Sequence, residues 1–218
     1  MKRIYFLASF IILISLYVFV SADSKLPTLI TQGKSIESFI PVGWKLINKT
    51  EGDLNKDGLI DIAGVLELNR EYEMGLEAPP RILFVAFKDK NGIYRLSIQS
   101  EKAILKADQG GVWGDPFVGI SVDRGSILIQ FYGGSNYRWA YTYRFRFQDN
   151  GWYLIGATIE NYFTGTGEGI REDYNLLTGI MIKATFKLEK TIKEETINRG
   201  KKKLLNLKDF NAGEENEF

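Results

Sequence analysis

In the run RWAYTYRFRF, Trp139, Tyr141, Tyr143, Phe145 and Phe147 alternate with Ala140, Thr142, Arg144 and Arg146. A period of two sends the aromatic side chains to one face of a strand and the polar ones to the other, which predicts a strand with one face in a core and one in water. Asp149-Asn150-Gly151 follows, a sequence that tolerates positive φ, so the chain is expected to reverse in a tight hairpin and return from Trp152 to Glu160. The same grammar occurs earlier, where RILFVAFK meets Asp89-Lys90-Asn91-Gly92 and comes back as IYRLSIQS. Period-two runs begin at Trp44, and further strands are predicted near 117–123, 125–132, 180–188 and 191–198. Between Gly33 and Pro41 the spacing differs: Ile36, Phe39 and Ile40 fall on one side of a helix that Ser35 is placed to cap.

About ten short strands separated by turn residues predict an all-β, mainly antiparallel fold: a sandwich, a barrel or a partial propeller-like arrangement, with one short N-terminal helix. No linker divides the chain. A single β-rich domain is expected over residues 23–210, with 211–218, ending in GEENEF, as a disordered tail.

The first residues read as an address. Lys2 and Arg3 precede an apolar run from Ile4 through Val20, and Val20 and Ala22 are the small residues that a signal peptidase accepts before a cut. Residues 1–22 are therefore expected to be a signal peptide, removed ahead of Asp23, and the protein to be secreted or periplasmic. Retained, the same run is long enough to act as a membrane anchor, the one contact with a bilayer that the sequence suggests.

Composition narrows the chemistry. The chain has 28 basic and 27 acidic residues, a formal charge of +1, and no strongly basic face is implied for a nucleic acid. It has no cysteine and no histidine. That removes disulfides, thiolate catalysis, imidazole acid–base chemistry and the common zinc sites. Carboxylate, hydroxyl and amine chemistry are left.

The segment Asp53-Leu54-Asn55-Lys56-Asp57-Gly58-Leu59-Ile60-Asp61 places side-chain oxygens at positions one, three, five and nine of a loop, with glycine at six. Calcium takes six to eight oxygens, and alternate residues of a tightly curled loop can aim at a common centre. Asp53, Asn55, Asp57 and Asp61 are the candidate side-chain ligands, and the carbonyl of Leu59 is a candidate backbone ligand. Gly58 permits the reversal. Position twelve, the bidentate glutamate of a helix-loop-helix site, is Gly64, and the residues after Asp61 read as a strand, so the loop is expected to join two β elements.

On DLNKDGLIDIAGVLE, and more loosely on RILFVAFKDKNGIYRL, the chain resembles the FG-GAP, or integrin-alpha-type, calcium hairpin of exported bacterial β proteins. That resemblance implies Ca2+ as the cofactor, held by Asp53, Asn55, Asp57, Leu59 and Asp61. The distal stretch from GGVWGDPFVG to NYFTGTGE is also similar to exported bacterial proteins without an assigned activity.

Two loops rich in glycine hold the remaining candidates. Asp108 to Pro116 contains Trp113 and Asp115, and Tyr132 to Trp139 contains Tyr137 and Arg138; these four form a possible ligand surface. The expected function is that of an exported, calcium-stabilised β module that binds a protein or glycan at the cell envelope or outside the cell. The alternative is a carboxylate-dependent hydrolase of polysaccharide or peptidoglycan, with Asp115, Glu160 and Glu168 as candidates.

Overall fold

A computed structural model of the chain describes residues 26–73 and 75–214. The expected signal peptide lies outside the described residues. No helix within them is long and apolar enough to cross a membrane. They form twelve strands: β1 (Gln32–Gly33), β2 (Trp44–Gly52), β3 (Asp61–Leu68), β4 (Arg81–Lys88), β5 (Tyr94–Ser100), β6 (Phe117–Asp123), β7 (Ser126–Gly134), β8 (Tyr137–Gln148), β9 (Gly151–Phe163), β10 (Glu168–Asn175), β11 (Ile180–Lys187) and β12 (Lys190–Asn198). Two antiparallel sheets result, one of five strands in the order β1-β5-β4-β3-β2 and one of seven running β12 to β6 without a crossover. Neither closes into a barrel. The fold is all-β, as the alternation predicts.

The two sheets share one core. Ala63, Val65, Leu83, Val85 and Ile98 face it from the five-stranded sheet, and Ile127, Ile129, Phe131, Tyr143, Phe145 and Leu154 face it from the seven-stranded one. Two other segments complete it: Ala103, Ile104 and Leu105 from the β5–β6 connection, and Leu207, Phe210 and Ala212 after β12. The Phe210 ring meets Tyr143 and Phe145 edge-on, with centroids 4.8 and 5.0 Å away, a geometry favoured by aromatic quadrupoles. Ala212, within the segment expected as a tail, is buried and its N–H donates to the Lys102 carbonyl at 2.9 Å. Residues 215–218 lie outside the described residues.

The five-stranded sheet is buried on both faces. Its second face carries Ile62, Leu66, Ile82, Phe84 and Ala86, covered by Leu29, Ile36 and Phe39 from the segment ahead of β2. A strand enclosed on both sides reads as an unbroken apolar run, which is why DIAGVLEL and RILFVAFK show little alternation. The short helix expected here is not shown. Ile36–Phe39 forms a single 3₁₀ turn, with Ser38 and Ile40 N–H groups donating to the carbonyls of Ser35 and Glu37 at 3.2 and 3.1 Å. Ile40 precedes Pro41 and is extended, at φ −90° and ψ 110°, the conformation imposed on a residue before proline, so the turn stops. A three-residue turn still aligns Ile36 with Phe39, and both are buried against the sheet.

Gly64 lets β3 pack closely against its neighbours. A Cβ there would lie 2.5 Å from the Phe84 ring and 3.0 Å from Leu46. The glutamate of a helix-loop-helix site therefore has no room at this position. Gly64→Ala is expected to cost about 1–3 kcal/mol by overpacking, seen as a lower urea midpoint; an unchanged midpoint would mean that Phe84 moves aside freely.

Candidate metal centre

The loop between β2 and β3 is closed by the pair Gly52 and Asp61, the last and first residues of those strands. Within it Leu54 is fully buried in the shared core and pins the loop to the body. Lys56 at φ 65° and Gly58 at φ 84° provide two left-handed residues that curl the backbone. The curl collects the candidate oxygens around its own N–H groups. Asp53 accepts from Asp57 N–H at 3.1 Å and from Gly58 N–H at 3.0 Å. Asn55 Oδ1 also accepts from Asp57 N–H, at 3.0 Å, and its Nδ2 donates to Asp57 Oδ2 at 2.9 Å. Asp57 Oδ1 accepts from Leu59 N–H at 2.8 Å.

Asp61 has a different setting. It is 0% exposed; one carboxylate oxygen accepts from Leu54 N–H and the other from Lys88 N–H, each at 2.9 Å. Burial pushes its carboxyl above the usual range against the pull of those two bonds, and the nearby Asp57 charge pushes the same way. Asp53, Asn55 and Asp57 thus sit together at the exposed rim, while Asp61 ties the loop to β4. Among the described residues no group of three or more acidic side chains is arranged to hold a metal. In donor chemistry the loop fits a hard cation: all its candidate ligands are oxygens, and a carboxylate oxygen with one N–H bond keeps a second lone pair.

The four residues of the possible ligand surface are not assembled into one. Trp113, 52% exposed, stacks beneath the Arg138 guanidinium at 4.7 Å and meets the Tyr132 ring edge-on at 4.9 Å. Tyr137, 72% exposed, lies on the opposite face of β8 beside Phe163, centroids 4.9 Å apart, because successive residues of a strand point to opposite sides. Asp115 points elsewhere again, to Arg81.

That arginine is the centre of a cluster absent from the expectations above. Arg81 is 3% exposed, and each of its three nitrogens donates to an acceptor. Nε donates to Glu67 Oε2 at 2.9 Å, with Nη2 in ion-pair contact with the same oxygen at 2.7 Å; Nη1 and Nη2 donate to the two oxygens of Asp115 at 2.8 and 2.5 Å, and Nη1 also to the Leu105 carbonyl at 2.8 Å. Lys45 adds a second cation to Glu67, Nζ to Oε1 at 3.0 Å. These groups line a cleft of about 500 Å3 beside the ends of β2 and β6. The sequence signal was available: Glu67 and Arg81 are the charged residues at the ends of otherwise apolar runs.

The other hydrolase candidates are separated as well. Glu160 accepts from Arg171 at 2.7 Å and Glu168 from Lys187 at 2.7 Å. In the register of β9 with β10, Glu168 lies opposite Phe163 and Glu160 opposite Arg171, which puts the two carboxylates on opposite faces of the sheet. Comparison of the chain with protein-family models, with curated proteins and with solved structures finds no match in any of the three.

Proposed function

We propose that the protein is an exported β-sandwich module, stabilised by one calcium ion in an FG-GAP-like loop, that binds a protein or glycan at the cell envelope or outside the cell. The observation that carries the reading is the loop itself: Asp53, Asn55 and Asp57 converge at its rim, and Asp61 anchors it to the sheet. Calcium, when bound, supplies a dication that the three rim side chains and the Leu59 carbonyl would hold by oxygen alone. The N-terminal segment 1–22 supports export. Binding is favoured over hydrolysis by the pairing of each candidate carboxylate. Burial pushes the Asp115 carboxyl up, but bonds from Arg81 outweigh it and hold the group below the usual carboxylate range. A general acid needs the reverse.

An extracellular-type site with affinity of about 0.1 to 1 mM, in 1 mM calcium, would stabilise the fold by about 0.4–1.4 kcal/mol. For a chain of this size that is a rise of roughly 1–5 °C in melting temperature over chelator. The rise should vanish in Asp53→Ala and Asp57→Ala. Identical melts of the parent protein in calcium and in chelator would defeat the calcium assignment.

A further inference from the structure

The outer face of the seven-stranded sheet carries a groove of about 740 Å3 that spans β7 to β11. Its volume is in the range of ligand sites, roughly 300–1,000 Å3. The faces of this sheet are chemically opposite. Ile127, Ile129, Tyr143 and Phe145 turn into the core, so their neighbours Leu128, Arg144 and Arg146 turn out into the groove. Arg124 joins them from the β6–β7 turn, where Arg124 and Gly125 have φ of 50° and 69°.

Charge here is not balanced. Asp123 accepts from Arg124 at 3.3 Å and from Arg144 at 2.7 Å, so one carboxylate serves two guanidinium groups. Arg146 is held by a neutral partner, with Nε and Nη2 donating to Gln148 Oε1 at 3.1 and 2.7 Å. Among the described residues it forms no ion pair, and its Nη1 has no protein acceptor. The remaining acid of the groove is Asp173, which accepts from Thr158 Oγ1 at 3.3 Å. Three guanidinium groups therefore face two carboxylates, in a chain whose total formal charge is +1.

The floor between the charges is mixed. A bulge between Arg144 and Phe145 in the β8–β9 pairing leaves Ile155 without a partner on β8, and it lines the groove with Leu128 and Ile180. Thr142 and Thr158 add hydroxyls. A peptide that joins a sheet does so at an edge, through free backbone groups. This floor is mid-sheet, its backbone already paired on both sides, so recognition falls to side chains. Arginine forks match carboxylates bidentately, apolar side chains suit the C–H faces of sugar rings, and threonines suit their hydroxyls.

We propose that this groove binds a strand of acidic polysaccharide that carries carboxylates on its sugar rings, with Arg146 as the principal anion contact. The proposal rests on the binding-module reading above and is independent of the calcium loop. The test is calorimetric titration of the protein, in chelator, with a galacturonate oligomer, a neutral galactose oligomer of equal length, and polyphosphate. Binding of the galacturonate oligomer alone, weakening as salt rises, is expected. Arg146→Gln should weaken it by about tenfold or more, the equivalent of about 1.4 kcal/mol, with an unchanged melting temperature. Arg146→Lys, which keeps the charge and loses the fork, should fall between the two. Equal or tighter binding of polyphosphate, or an affinity untouched by Arg146→Gln, would overturn the proposal, as would the absence of any binding. A different glycan or protein ligand whose affinity ignores Arg146 would overturn the groove alone and leave the binding module standing.

Discussion

Arg81→Ala is expected to lower the free energy of unfolding by about 3–5 kcal/mol, read from the urea midpoint. The arginine does more than join two carboxylates. It reaches Glu67 on β3, the Leu105 carbonyl in the β5–β6 connection and Asp115 just ahead of β6, so it fastens the connection and the second sheet to the first. Truncation strands a buried Glu67 with Lys45 as its remaining cation and leaves the Leu105 carbonyl without this donor. Most of the cost is the desolvation of groups left unpaired rather than the worth of the pairs themselves. The loss of Asp115 should be milder, because its side chain is 44% exposed and water can replace part of what it gives. Its carboxyl is depressed in the folded state, so its contribution is complete above the unfolded value of about 4 and fades as pH falls through the lower folded value. Arg81→Ala should therefore flatten the acid limb of the stability profile. A destabilisation under about 1 kcal/mol would mean that the cleft already admits enough water to solvate the cluster.

Asp61→Ala is the second large effect, about 2–5 kcal/mol, from one buried and one part-buried N–H group that lose their acceptors. It separates two roles that the spacing of the loop runs together. If Asp61 is chiefly the anchor seen here, the loss is the same in calcium and in chelator, whereas Asp53→Ala and Asp57→Ala remove the calcium increment and little else. A loss for Asp61→Ala that is present in calcium and absent in chelator would reverse that assignment and make Asp61 first of all a ligand.

Legibility followed solvent exposure. RWAYTYRFRF announced β8 because one of its faces meets water, and Asp149-Asn150 announced the turn, with both residues at positive φ, 49° and 56°. The equivalent turn between β11 and β12 is built from Leu188 and Glu189 at φ 48° and 66°, residues that carry no such signal. β10 went unread for a related reason. Its sequence EGIREDYN is mostly polar: Tyr174 alone of its residues is buried in the shared core, and Ile170 on the same side is still 41% exposed. In the candidate metal loop, alternate oxygens and Gly58 were readable from spacing alone. The inward turn of Asp61 was not, since its second partner, Lys88, is 27 residues away on β4. The same limit applied to Arg81, whose Asp115 partner is 34 residues distant, and to Tyr137 and Arg138, which alternation sends to opposite faces of β8.

Phe210, whose ring fills the slot between Tyr143 and Phe145, is among the last of the core residues to leave the ribosome. Leu29 and Phe39 cover a face whose last strand, β5, ends at Ser100 and holds Leu29 through Gln99, so the smaller interior has all its residues well before the larger one. Until the stretch around Phe210 arrives, the larger interior lacks the ring that closes it against Tyr143 and Phe145.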